Sequence, residues 1–311
     1  MCGLLSFSFK KDSISHGRRA LLAQALAIKN DDRGGHSWGV YSLMGGNKYK
    51  IRRGLGDLAD HSYELLDHHV MMAHTRWKTT GDVKVQNAHP FTIGNIIGAH
   101  NGMITNHEEL NKKYNRNFEV DSMHIFAHLD SGLDIAELKG YGSILWVNKS
   151  DPNTINACKM SGGSLAIAGI GKYSDPIGAV VSSTEDHLVE ALKSAGIKKY
   201  FLYRVDVGQV YTIANGFVGV NKKKLNLCKE EKNANVLYYN SSQKDDDLSD
   251  SDQEYLEWLR NEKYDYANEF DTPDTNFHRW QRSRVDTNKV DPTDMKDWNN
   301  FCERNPIGGN K

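Results

Sequence analysis

Cysteine is scarce in this chain. There are four in 311 residues, Cys2, Cys158, Cys228 and Cys302, widely spread and with no C-x-x-C pair. That excludes a disulfide framework and a zinc signature, and it fits a reducing compartment, so a cytoplasmic protein is expected. No apolar run approaches the roughly 18 residues of a membrane span. No basic segment precedes the apolar start, which soon meets Lys10 and Lys11, so no secretory signal is expected. An excess of one charge is missing too: a formal net charge of -1 gives no global electrostatic grip on nucleic acid. What is present, 39% hydrophobic and 25% charged residues, suits a soluble globular chain of one large domain or two smaller ones.

The organising stretch is Met1-Cys2-Gly3-Leu4-Leu5. Removal of Met1 by an aminopeptidase, which the small size of cysteine permits, would leave a thiol and a free α-amine on one residue. A thiolate is a strong nucleophile, and an α-amine titrates near about 7.7–8.0, so nucleophile and base would sit together. The other reading of Cys2 is an ordinary apolar residue on a first strand.

Residues 2–10 alternate apolar with small polar side chains (Leu5, Phe7, Phe9 against Ser6, Ser8) and read as a strand. A helix over 17–29 follows, with Leu21, Leu22, Ala25, Leu26 and Ile28 as its apolar stripe and Ser15 as N-cap. A glycine-rich turn, Arg33-Gly34-Gly35-His36-Ser37-Trp38-Gly39, leads into a hairpin closed by Gly45-Gly46-Asn47. The strand over 68–77 ends in His74-Thr75-Arg76-Trp77, and a polar loop follows it. There Arg76 could grip a carboxylate or be a surface arginine, and Trp77 could wall a site or be core.

The strand over 96–100 stops at His100-Asn101-Gly102. Asn-Gly is ordinarily a turn, yet an asparagine amide and a glycine N–H can both aim donors at one oxyanion. Asn106 with Glu109 reads as a capping box. Asp121-Ser122 opens a helix ended by Gly132, and Asp121 is either a cap or a seat for a substrate ammonium.

Taken together, these pieces resemble the class II glutamine amidotransferases, members of the N-terminal nucleophile hydrolases. The likeness is strongest to the glutaminase domain of glucosamine-6-phosphate synthase. It rests on Met1-Cys2-Gly3, Arg33-Gly34 with Ser37 and Gly39, His74-Thr75-Arg76-Trp77 with Thr79 and Gly81, Asn87-Ala88-His89-Pro90, His100-Asn101-Gly102, and Asp121-Ser122, in the family's order. The chain departs from it at His36, where aspartate is common, at Thr80, where histidine is common, and at Val120 and Met123 around Asp121. The likeness continues more thinly to Cys228. It includes the turn from Met160 to Leu165, a helix over 184–194 closed by Gly196, and a last strand pair around Val207 to Tyr211.

The resemblance implies an α+β fold, a four-layer αββα sandwich of two antiparallel sheets. It implies Cys2 as nucleophile with its α-amine as acid and base, and Asn101 and Gly102 as the oxyanion hole. It also implies Arg76 on the glutamine α-carboxylate, Asp121 on the α-ammonium, and Trp77, Thr79 and His89 as further contacts for glutamine. No metal or organic cofactor, nucleic acid or membrane is implied. The expected reaction is hydrolysis of glutamine to glutamate and ammonia through a thioester, the ammonia passing to an acceptor in a separate synthetase. The alternatives are an amide hydrolase for another γ-glutamyl or acyl amide, and a non-catalytic binding protein that retains the fold. Residues 1–228 are the expected amidotransferase domain. Residues 229–311, polar and charged from Ser241 on, with Trp258, Trp280 and Trp298 and a capping box at Ser251, form an extension unlike the family's synthetase domains.

Overall fold

The structure is a computed structural model that describes residues 2–61, 68–222 and 224–228. The tail from 229, with its expected capping box at Ser251 and its tryptophans, lies outside the described residues.

The expected first strand runs Gly3–Phe9 (β1). Its alternation suggests one wet face, but all seven residues are buried. The reason is position: β1 is the middle of a seven-stranded sheet. That sheet also contains Ser37–Gly45 (β2), Lys48–Leu55 (β3), Val70–Arg76 (β4), Ala166–Lys172 (β9), Asp175–Ser182 (β10) and Tyr200–Tyr203 (β11), in the order β11-β9-β10-β1-β4-β2-β3. Leu5, Phe7 and Phe9 meet helices α1 (His16–Asp31) and α4 (Glu185–Ser194) through Leu22, Leu26, Leu188 and Leu192. The opposite face of β1, with Leu4, Ser6 and Ser8, is buried against the second sheet, where small hydroxyl side chains leave room for close packing.

The second sheet has six strands in the order β13-β12-β8-β7-β6-β5. They are Phe91–Ile93 (β5), Ile96–Ile104 (β6), Gly140–Asn148 (β7), Asp151–Lys159 (β8), Val210–Ala214 (β12) and Phe217–Val220 (β13). Its inner face (Ile97, Ala99, Leu145, Val147, Ile155, Ala157) meets Leu4, Met72, Ile167 and Val181 of the first sheet. Its outer face packs on α2 (His107–Lys113) and α3 (Met123–Ser131) through Leu110, Ile125 and Phe126. Every strand pairing is antiparallel. The result is the expected four-layer αββα sandwich.

Several local expectations change. Leu21, assigned to the apolar stripe of α1, is 39% exposed, and the stripe instead uses Ala23 and Ala27. The strand expected to stop at His100 continues to Ile104, so Asn101-Gly102 is not a turn. The capping box at Asn106 does not form. Its side chain accepts from Lys139 N–H and donates to Glu137 O, tying the head of α2 to the segment before β7. The last strand pair starts at Val210, because Gly208 turns the chain with φ +75°. Ser15 does cap α1, accepting from Arg18 N–H, and Gly196 follows α4 with φ +66°.

One contact fixes how the chain enters β1. A Cβ at Gly3 would stand 2.5 Å from Thr75 Oγ1 and 2.6 Å from Asn30 Cβ, atoms already locked together by a Thr75 hydroxyl bond to Asn30 O. Gly3→Ala is therefore expected to destabilise by about 1–3 kcal/mol through overpacking. Gly17→Ala, at a helical site with nothing near the added methyl, should gain about 0.5–1 kcal/mol. Urea unfolding of the two variants against wild type measures both signs.

Candidate active site

Cys2 stands at the head of β1, beside the end of β4, because Gly3 pairs with Thr75. Its sulfur is bracketed by one backbone unit: Trp77 N–H donates to Sγ at 3.2 Å, and the thiol donates to Trp77 O at 3.4 Å. Its carbonyl accepts from Arg33 Nε at 2.9 Å, so the arginine of the glycine-rich turn holds backbone here. Burial pushes the Cys2 thiol above its ordinary value. The Trp77 N–H and the positive Arg76 oppose that shift without overcoming it.

Asn101 and Gly102 come to the same end of the sandwich from the other sheet. Thr105 N–H donates to Lys139 O at 2.7 Å, which makes that a hydrogen-bonded pair in the register of β6 on β7. Such pairs alternate along an antiparallel ladder, so the backbone groups of His100, Gly102 and Ile104 point away from β7. The contacts agree: His100 O accepts from His74 Nε2 at 3.0 Å, and Ile104 N–H donates to Asp121 Oδ2 at 2.6 Å. Gly102 N–H lies between them on that same edge. Only glycine fits there, since a Cβ would fall 2.0 Å from Tyr141 O. Asn101 is 8% exposed, and its Nδ2 donates to Ser183 Oγ at 3.1 Å.

Arg76 and Asp121 are both 2% exposed. Arg76 donates to Thr80 O at 2.5 Å and to Asp82 O at 3.0 Å, which curls residues 78–82 around the guanidinium and leaves other N–H groups for a ligand. Burial lowers the Arg76 pKa, opposed by the nearby acidic groups Cys2 and Asp121. Asp121 does not cap α3, which begins at Met123. Its Oδ2 takes the Ile104 N–H instead, leaving Oδ1 for a cation.

The remaining expected contacts separate. Trp77 is half-buried and stacks on His36 with ring centroids 4.4 Å apart. Thr79 is exposed on the loop. His89 is 3% exposed and lies in the interior, between His74 at 4.1 Å and Phe91 at 4.5 Å. Its ring packs between β4 and β5 in the interior. Burial holds His89 well below the usual imidazole range and takes His74 down to about 3, so both rings are neutral.

Hydrogen bonds to carbonyls settle the tautomers. His74 carries its proton on Nε2 to reach His100 O. His100 carries its proton on Nε2 toward Tyr141 O, so its Nδ1 accepts from the Ser122 hydroxyl.

Three residues with positioning contacts are missed by sequence reasoning. Glu119 Oε1 accepts from Asp82 N–H and Asn87 Nδ2, while Oε2 pairs with Lys84 at 2.5 Å, latching the loop from outside. His36, the departure from the family pattern, accepts from Lys78 N–H at 2.9 Å and so holds the loop's first residue. Ser183 links β1 to Asn101. The only signal for Ser183 is a Ser-Ser-Thr run before a helix, which reads as a cap. Among the described residues no group of three or more His, Cys, Asp or Glu is arranged to hold a metal. No helix among them is long and apolar enough to cross a membrane.

No protein-family model matches the chain. Several curated proteins named glutamine–fructose-6-phosphate aminotransferase [isomerizing] do. That of Buchnera aphidicola is 28% identical over 193 residues, covering 56% of this chain and 29% of that protein. That of Caulobacter vibrioides is 37% identical over 148 residues, covering 45% of this chain and 23% of that protein. The chain thus matches less than a third of the length of each of these two. Among solved structures, glutamine phosphoribosylpyrophosphate amidotransferase from B. subtilis superposes with a TM-score of 0.52 at 15% identity, covering 73% of this chain and 50% of that one, a likeness of fold. In sequence the chain is thus similar to the glutamine–fructose-6-phosphate aminotransferases, as the expected resemblance to the class II glutamine amidotransferases implies, and the solved structure adds a likeness of fold.

Proposed function

We propose that the chain hydrolyses the side-chain amide of glutamine, with Cys2 as nucleophile once Met1 is removed. The observation that carries this reading is the convergence at one end of the sandwich. The Cys2 thiol sits on the Trp77 backbone within electrostatic reach of Arg76 and Asp121, and the oxyanion-type donors Asn101 and Gly102 stand on the facing strand. Arg76 binds the α-carboxylate and Asp121 Oδ1 the α-ammonium, so a free amino acid is favoured over other acyl amides. Trp77 and Thr79 flank glutamine from the loop, and His89 packs against His74 of β4 in the interior.

In this reading the α-amine of Cys2 takes the thiol proton as Sγ attacks the amide carbon. Charge gathering on the amide oxygen is met by Gly102 N–H and Asn101 Nδ2. The ammonium then returns its proton to the leaving nitrogen, releasing ammonia and a γ-glutamyl thioester. Water, deprotonated by the same amine, cleaves the thioester to glutamate and regenerates the thiol. The unit doing this is residues 1–228, with 229–311 a separate extension. In this proposal the ammonia passes to an acceptor held by a separate synthetase. One observation favours a second reading, a binding protein that keeps the fold: the sulfur is engaged as a thiol on Trp77 O.

The full chain incubated with glutamine should release glutamate, and Cys2→Ala should reduce this to background. Undiminished release by Cys2→Ala would falsify the mechanism, and intact mass showing retained Met1 with no turnover would select the binding protein. Asn101→Ala is expected to lower kcat about 100–1000-fold, as for loss of one oxyanion donor. Because the base must be unprotonated, kcat/KM should rise with pH through about 7.7–8.0, where an α-amine titrates.

The Glu119 latch has its own pH dependence. Lys84 and Asn87 hold the Glu119 carboxyl down to about 2. A depressed carboxylate contributes stability above its unfolded value, about 4.3, that is lost as pH falls toward the folded one. Glu119→Gln should therefore have a lower Tm than wild type at neutral pH, with the gap closing as pH drops below about 4.3. Amide exchange across residues 78–87 should be faster in the variant at neutral pH. An unchanged exchange rate would remove the latch from the account.

A further inference from the structure

Ser183 follows β10 and precedes Thr184, the N-cap of α4, whose side chain accepts from His187 N–H. Its place in the chain suggests nothing beyond helix initiation. Its contacts are of another kind. Ser183 is fully buried, its N–H donates to Leu4 O at 2.9 Å, and its hydroxyl oxygen accepts from Leu4 N–H at 2.7 Å. The same oxygen accepts from Asn101 Nδ2 at 3.1 Å. A serine hydroxyl has two acceptor sites, and here both are taken. One holds the residue two places after Cys2, on the first sheet. The other holds the asparagine of β6, on the second.

We infer that Ser183 is a positioning residue for glutamine hydrolysis, fixing the Asn101 amide relative to the Cys2 strand; this rests on the role proposed above for Asn101. A primary amide nitrogen has two protons. Anchoring one on Ser183 stops rotation about the last side-chain torsion, a soft, roughly two-fold barrier in asparagine. The second N–H is then held in a constant direction. Without the anchor the amide can turn over and present Oδ1, an acceptor, where the reaction needs a donor. Leu4 and Asn101 share one oxygen atom, so the strand carrying the nucleophile and the side chain serving the oxyanion are referenced to a single point. Donors to a developing charge act through such fixed geometry.

The inference separates from a packing role by its kinetic signature. Asn101 in this reading acts on the transition state, so Ser183→Ala should lower kcat for glutamine about five- to tenfold, the range for one neutral hydrogen bond, with KM changed less than about twofold. Ser183→Cys, which fills the volume with a weak acceptor, should behave like Ser183→Ala. In an Asn101→Ala background, Ser183→Ala should change kcat less than about twofold. Recovery of wild-type kcat by Ser183→Cys, or equal losses with and without Asn101, would overturn the assignment in favour of packing. A second readout does not depend on turnover: the side-chain NH2 signals of Asn101 in a ¹⁵N spectrum, identified by their loss in Asn101→Ala. They should shift and broaden in Ser183→Ala and Ser183→Cys, and unchanged signals would sink the inference. If wild type releases no glutamate yet these signals respond, the proposed reaction fails while Ser183 still sets the amide.

Discussion

Two hydrogen bonds to one serine oxygen join the halves of this molecule at its chemical end. Leu4 belongs to the central strand of the seven-stranded sheet and Asn101 to the six-stranded one, and each gives a proton to Ser183 Oγ. Sheet-on-sheet packing alone is apolar and leaves latitude for small slides. A buried polar contact between the layers does not, because losing it strands a donor away from water. The rest of the chain's entry is held with similar economy. Gly3 has no room to move between Asn30 and Thr75, and Arg33 fixes the Cys2 carbonyl. The thiol is thus placed by backbone on every side, and its position follows from strand register more than from side-chain packing.

Parity does the same work on the facing strand. In an antiparallel ladder every second residue turns its N–H and C=O outward. On β6 those residues are His100, Gly102 and Ile104. The outer two are taken, by His74 and by Asp121, and the glycine between them offers its N–H toward the site. A slip of one residue would turn Asn101 and Met103 outward and break both flanking bonds, so the flanking contacts guard the register of the donor. This also explains why Asp121 is not a helix cap. Its carboxylate is used across the chain, on Ile104, and α3 starts without it.

Much of this was legible in the sequence and some could not be. The residues around Cys2, Arg76, Asn101 and Asp121 are recognisable together, as short motifs in the order of a known family, more than by local pattern at each one. Periodicity placed β1 and α1 to within a few residues, and the resemblance did so for α4. Asn101-Gly102 misled, since the dipeptide is a turn signal and its strand continues only because β7 and Asp121 satisfy it. Leu21 misled because periodicity defines a stripe but not which edge of it the sheet covers. Ser183 and Glu119 were out of reach for a different reason: their partners lie 179 and 32–37 positions away, and nothing local marks a serine or a glutamate as a bridge. His36 stood out as a departure from a pattern, and only the fold shows that its Nδ1 accepts from Lys78 N–H.

The charges around the sulfur then constrain where its proton goes. Burial outweighs the pull of Trp77 N–H and Arg76, so the resting sulfur is a thiol. Among the described residues, the groups hydrogen-bonded to it are the two backbone atoms of Trp77, and a carbonyl can accept a hydrogen bond but does not take the proton. The histidines nearby are committed elsewhere. His74 spends its proton on His100 O and is held neutral down to about 3, and His36 Nδ1 is occupied by Lys78 N–H. Asp121 Oδ2 accepts from Ile104 N–H, and Oδ1 is the oxygen assigned above to the substrate ammonium. In the proposed mechanism the base is instead the α-amine of Cys2, which its covalent tether keeps beside the thiol. The buried histidines, kept neutral, brace β4 against β6 without adding positive charge beside the sulfur.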